Sequence, residues 1–456
     1  RLERGPEGSR GRPFGRPFRH LALLTVTTVL LLTTGLRIAD QIAPIIKSAA
    51  AFRLAVALDW WLACAVYAIA VFRRPRLSPA SAACITAPVA LYLTLELWFR
   101  LADVKAAWHA LGWALLTPLY LLSAHALQRR FPDPDEARRA QGRIVAGWAV
   151  ALILLAFGWG FGDMSAAAAA HGVLVGSVLL AVRLWRRPRL LPFASALAFS
   201  AATTWMATLG LDLAPYCLGW ALLAILHLVA AVRLRRLEAY TPPLYGAGFC
   251  VAALALLPPL LAFDRYLLAY ALGNWIALAG WAAWLAHGEQ HPGLRRLLRW
   301  AGPLRRSAPH WAAALPLPVW FWLVWINTRA ADGWLGVGFA ALAWACLGLG
   351  RRLARRDEAY GPPWYTVSFL CSVVGPAVAG GYHDQPLLAV ALLSGAAIYF
   401  TYACLFRRRW WLWLDAGGLT LPFGYILLLD HLGLPADPLA ASLVLVPSAS
   451  ILIAAW

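Results

Sequence analysis

Charge is what this sequence has least of. Asp, Glu, Lys and Arg make up only 13% of its 456 residues, against about a quarter in soluble globular domains, which excludes a water-soluble fold. Long polar stretches are missing too, so any catalysis would have to use residues in the membrane or in short loops. No phosphate-binding Gly-x-x-x-x-Gly-Lys loop, dinucleotide fingerprint, Gly-x-Ser-x-Gly elbow or His-Glu-x-x-His pair occurs. The seven cysteines (64, 84, 217, 250, 346, 371 and 404) all lie inside apolar runs without Cys-x-x-Cys spacing. They read as small apolar side chains rather than as a disulfide framework or a zinc site. Among the histidines in or beside apolar runs (His109, His125, His171, His227 and His310), no two share the i, i+3 or i, i+4 spacing of a one-helix metal or haem pair. No catalytic residue, metal site or cofactor is identified from these patterns.

What the chain does have is apolar length. Hydrophobic residues make up 61% of it and the mean hydropathy is +0.65. Apolar runs follow one another from His20 to Trp456, each long enough to cross a hydrocarbon core of about 30 Å. They lack the alternation of barrel strands, and lipid cannot satisfy free backbone groups, so helices are the spanning element. The predicted fold class is an all-α polytopic transmembrane helix bundle. Spans are expected near 20–36, 53–72, 79–99, 106–127, 143–162, 165–184, 190–210, 215–234, 244–263, 266–286, 308–327, 333–350, 364–381, 386–406, 410–429 and 438–456. This makes about 16 spans in eight hairpins.

The net charge of +19 is explained by orientation, with no nucleic acid needed. Taking the runs in order, 33 of the 40 basic residues fall on one side, in 1–19, 73–76, 129–143, 183–189, 233–236, 295–306, 351–356 and 407–409. By the positive-inside rule that side is cytoplasmic, with both ends of this segment on it. The expected setting is a bacterial or archaeal inner membrane. The expected partners are the lipid bilayer, anionic lipid head groups on the Arg-rich face and other membrane subunits. The run from His20 lacks a small-residue cleavage site and opens a polytopic chain, so it is not read as a secretory signal. Many of the 25 tryptophans sit toward span ends, as an interfacial belt does.

One stretch occurs twice. Arg235-Arg236-Leu237-Glu238-Ala239-Tyr240-Thr241-Pro242-Pro243-Leu244-Tyr245 returns as Arg355-Arg356-Asp357-Glu358-Ala359-Tyr360-Gly361-Pro362-Pro363-Trp364-Tyr365, and Asp135-Glu136-Ala137 is an eroded copy. Arg73-Arg-Pro-Arg-Leu-Ser-Pro79 likewise returns as Arg186-Arg-Pro-Arg-Leu-Leu-Pro192. These mark parallel four-helix internal repeats at 73–185 (repeat 1), 186–304 (repeat 2) and 305–406 (repeat 3). Before them come a basic cytoplasmic tail at 1–19 and a first hairpin with an outer interfacial segment at 20–72. A terminal half repeat occupies 407–456. An even helix count per copy keeps the copies in the same orientation, unlike the inverted pairs of many secondary transporters. Since Arg1 is not a Met and Trp456 lacks the basic stop that follows the earlier inward spans, a longer native chain is expected.

Polar groups inside apolar runs are costly and so point to function. The candidates are Asp59, Glu96, His227, Asn274 and Asp415, together with the repeat elbows at Glu238, Tyr240, Glu358 and Tyr360. Arg100 or Arg53 is the expected partner for Asp59 and Glu96, read as one structural polar cluster, with a proton or ion site there as the alternative. Each elbow glutamate is expected to pair with a nearby arginine. Each outer turn carries an aspartate (Asp40, Asp103, Asp163, Asp212, Asp264, Asp332, Asp384 and Asp430). This is read either as helix capping or as an acidic ring for a cation. Pro258-Pro259, Pro316, Pro318, Pro376 and Pro422 are expected to kink their helices.

Sparse interior polarity and short loops favour a non-catalytic membrane scaffold or a partner-binding membrane domain of a larger protein or assembly. One alternative is a transporter or translocator of a hydrophobic or lipid-like solute, its path lined by the proline-broken helices. Another is a membrane glycosyltransferase using a lipid-linked donor. Asp40 resembles, in place, the acid that such enzymes keep in the first outer loop, although the loop here is short.

Overall fold

A computed structural model of the chain describes residues 49–73, 77–102, 104–129, 136–287, 292–328, 332–406 and 410–433. Helices make up 88% of these residues, and no strand occurs among them. The chain divides into two compact units, Arg1–Leu209 and Gly210–Trp456. Eleven helices among the described residues are long and apolar enough to cross a membrane. The expected spans at 20–36 and 438–456 lie outside the described residues.

Unit 1 is built of antiparallel pairs: α1 (Ala49–Arg73) with α2 (Leu77–Ala102), α3 (His109–Arg129) with α4 (Glu136–Gly160), and α5 (Met164–Trp185) with α6 (Leu191–Thr208). Helix α3 is the centre of the unit, packed on both α4 and α5. Its inward stripe of Ala110, Trp113, Ala114, Thr117, Leu121 and Ala124 recurs at three to four residues and is buried, as one face of a helix must be. Alanines dominate the stripe, so the backbones approach closely and packing rather than water expulsion holds them, as in lipid.

Unit 2 starts with α7 (Tyr216–Arg233), α8 (Thr241–Leu254), the short α9 (Leu257–Leu261) and α10 (Arg265–His287). The next three are the short α11 (Pro292–Leu298), α12 (Ala308–Ala314) and α13 (Leu317–Thr328). Four long helices complete it: α14 (Trp334–Ala354), α15 (Gly361–Gly381), α16 (Gln385–Leu405) and α17 (Trp410–His431). Helix α7 pairs with α8, α14 with α15, and α16 with both α15 and α17, while α10 lies against α12 and α13.

Two expected spans are interrupted. The stretch 244–263 is α8 and α9, parted at Ala255–Leu256, and 308–327 is α12 and α13, parted at Leu315–Pro316. Proline is the cause: it has no N–H, and its ring crowds the carbonyl four residues back. Pro376 and Pro422 instead lie within continuous helices, as do Pro88 and Pro118.

Helices α14 and α15 cross at glycines. A Cβ on Gly336 would come 2.5 Å from the Gly375 carbonyl oxygen, and one on Gly375 would come 2.8 Å from the Gly336 oxygen. Only a missing side chain on both permits this approach. Gly375→Leu is therefore expected to destabilise unit 2 by about 1–3 kcal/mol through overpacking. Gly381→Leu, with open space around its Cβ position, is expected to have little effect. Thermal unfolding of both variants in one detergent checks this; equal midpoints would contradict the crossing.

Candidate functional site

The first positions to consider are the turns opposite the arginine clusters. Asp163 caps α5: its Oδ1 accepts from the Ser165 and Ala166 amides at 2.9 and 3.2 Å. Asp264 does the same for α10, with the Tyr266 and Leu267 amides both at 3.0 Å. Asp384 accepts from the Leu387 amide at 3.3 Å. The residues just before the last two, Phe263 and His383, are in the left-handed region at φ 53° and 55°. The same short turn is thus made twice, 120 positions apart. These three carboxylates fill the orphan amides of a helix start, a role that needs no cation. Among the described residues no group of three or more His, Cys, Asp or Glu could hold a metal ion. Asp40 and Asp103 lie outside the described residues.

Lys105 adds a cross-link, its Nζ lying 2.8 Å from Asp163 Oδ2. The Lys105 hydrogen bond and the α5 amides hold the Asp163 carboxyl below the usual carboxylate range, and Asp163 raises Lys105 in turn.

The site candidates divide by location. Glu96, on α2, meets His109 at the start of α3, Oε2 to Nε2 at 3.5 Å. The side chains of Arg100 and Arg53, its expected partners, lie outside the described residues. The Trp61 indole N–H donates to Thr94 Oγ1 at 3.0 Å, which sets Asp59 on α1 level with Glu96 on α2. The Asp59 side chain, however, is exposed. His227 is buried on α7, and its Nδ1–H donates to the Leu223 carbonyl at 2.8 Å, within its own helix. Asp415 is half-buried on α17.

Asn274 stands in the middle of α10, and its buried Nδ2 has no hydrogen-bond partner among the described residues. Its neighbour Trp275 donates its indole N–H to the Ala312 carbonyl at 2.9 Å. Ala312 is four residues before Pro316, the position whose helical partner proline removes. A side chain of α10 therefore closes one of the gaps that the α12–α13 break opens.

At the arginine-bearing end, both elbows turn alike before a helix. The Tyr240 amide donates to the Leu237 carbonyl at 2.9 Å, and the Tyr360 amide donates to the Asp357 carbonyl at 3.0 Å. Tyr240 and Tyr360 then stand at the N-caps of α8 and α15, each with Pro in the first turn, where a missing N–H costs nothing. The ion pairs differ. Glu238 meets Arg296 of α11 at 2.8 Å, as expected. In the second elbow the acid that pairs is Asp357, with Arg306 at 3.3 Å, and Glu358 is exposed. The Tyr360 ring lies on His310, with centroids 4.7 Å apart, and the Trp364 indole N–H donates to His310 Nδ1 at 3.3 Å.

The sequence marks Glu96 and His109 as polar groups in or beside apolar runs, but not their contact. The pairing joins two helices, and no spacing along the chain encodes it. Another such contact is that of His171 on α5: it stacks on Phe157, and its Nδ1 lies 3.0 Å from Ser200 Oγ on α6.

Asp163→Ala is expected to weaken the α5 start by about 1 kcal/mol, the usual worth of such a cap. Because the folded Asp163 carboxyl titrates below its unfolded value, its charge contributes stability above the unfolded range and loses it as pH falls through the folded value. Asp163→Asn should keep most of the cap and remove that acid dependence. Hydrogen exchange at Ser165 and Ala166 as a function of pH measures both effects; identical profiles in all three chains would contradict the assignment. No family model matches the chain, and neither does any curated protein or solved structure.

Proposed function

We propose that the chain is an integral membrane scaffold, or partner-binding membrane domain of a larger assembly, and not a catalyst. The observation that carries this reading is how the polar side chains inside the helices are used. Thr86, Thr117, Ser177, Thr203, Thr204 and His227 each bond a carbonyl three or four residues back in their own helix. His171 bonds across to the Phe157 carbonyl at 3.2 Å. Groups turned onto the backbone in this way are satisfied within the protein and leave little to line a polar path.

In this proposal sixteen spans form parallel four-helix repeats, with the arginine-bearing ends cytoplasmic and resting on anionic head groups. The repeated Asp caps and the repeated elbow turns support the repeat. The short arginine-rich turns, beside lipid-facing apolar helices, support the head-group contact. Other membrane subunits are the partners in this proposal.

A second reading, a transporter of a hydrophobic or lipid-like solute, is favoured by one observation: the unpartnered Asn274 amide beside the broken α12–α13 helix. Broken helices at membrane depth are tolerated where they are buried in protein or line a cavity.

Extraction into native lipid discs followed by native mass spectrometry and a density map separates the two. The scaffold reading expects a membrane protein bound at fixed stoichiometry through the lipid-facing helices. Recovery of the chain alone, with a water-filled cavity open to one side beside Asn274, would overturn it in favour of transport.

A further inference from the structure

The start of α3 carries an arrangement that neither capping nor packing requires. His109 is fully buried, and its Nδ1 lies 2.7 Å from the Ala106 carbonyl oxygen. A carbonyl can only accept, so Nδ1 carries a proton. The same oxygen also accepts the Trp159 indole N–H at 3.0 Å and the His109 backbone N–H, so it holds the ring firmly. That fixes the other edge: Nε2 lies 3.5 Å from Glu96 Oε2 on the neighbouring helix, an ion-pair separation. An unprotonated Nε2 and an ionised carboxylate would face each other with lone pairs only.

We propose that Glu96 and His109 form a proton-binding site, holding one exchangeable proton between Oε2 and Nε2. The proton sits on the imidazole, facing a carboxylate, or on the carboxyl, facing a neutral imidazole; either way one proton joins α2 to α3. Rings shape the rest of the site. Tyr92 stacks on His109 with centroids 4.6 Å apart, and Trp113 lies at 6.1 Å; such faces favour a cation on the ring. Exchange enters by Glu96, because the His109 side chain has no exposure while that of Glu96 has 24%.

Among the described residues, the charged groups around the pair have other roles. Lys105, ahead of the turn, is neutralised by Asp163, the α5 cap. Asp59 on α1 is level with Glu96 but exposed, and the facing end of α4 presents the indole of Trp159. Loss of the proton at high pH sets two acceptors against each other, and gain of a second at low pH ends the charge pairing. The α2–α3 link is therefore strongest between these limits. It is independent of whether the chain acts as a scaffold or moves a solute.

The test uses the full chain in lipid discs, with histidine nitrogen-15 spectra and infrared spectra of the carboxyl region. Wild type at neutral pH is expected to show one of two patterns. Either one histidine is doubly protonated beside an ionised Glu96, or one protonated carboxyl band appears beside a neutral imidazole. Glu96→Gln, nearly isosteric and partly exposed, should remove that signal and leave His109 as the neutral Nδ1–H form. His109→Gln should leave Glu96 ionised. A neutral His109 together with an ionised Glu96 in wild type overturns the proposal, whether or not the variants fold; so does a spectrum that Glu96→Gln leaves unchanged.

Discussion

Lipid offers no hydrogen bonds, so every backbone amide and carbonyl within it must find a partner in the protein. A helix meets this demand along its length but fails at its start, at its end and wherever proline interrupts it. Those places are where the informative side chains of this chain stand. Asp163, Asp264 and Asp384 fill helix starts; Trp275 fills the carbonyl that Pro316 leaves open; His109 and Trp159 both bind the Ala106 carbonyl ahead of α3. Most of the polar chemistry on view is thus repair of the backbone, and this is the main reason for reading the protein as a scaffold.

The same constraint explains what could be read from the sequence. A span has to be apolar over its whole length, so composition alone marks it. The expected stretches 165–184, 266–286, 386–406 and 410–429 are helices Met164–Trp185, Arg265–His287, Gln385–Leu405 and Trp410–His431. Asp163, Asp264 and Asp384 were legible as caps because the cap bond is local, reaching two or three residues. The elbows were legible because a shared Glu-Ala-Tyr-x-Pro-Pro-x-Tyr pattern makes a similar turn before a helix.

What was not legible is long-range or depends on packing. Both interrupted spans contain prolines, yet so do four described helices that stay continuous. Pro376 and Pro422 lie within continuous helices, while Pro258-Pro259 and the Pro316, Pro318 pair part their helices. Glu96 was visible as a costly polar residue, but its partner His109 lies on another helix. The elbow glutamates look equivalent in sequence, yet the pairing acid shifts from Glu238 to Asp357, because the arginines come from differently placed neighbours, Arg296 and Arg306.

The account rests on the helices crossing a membrane, with the arginine-bearing and aspartate-capped ends on opposite faces. Single cysteines at Asp212 and at Glu358, both exposed positions in turns, test this most directly with a membrane-impermeant maleimide on intact and opened cells. The account predicts labelling at 212 in intact cells and at 358 only after opening. Labelling of both positions from the same side would contradict it.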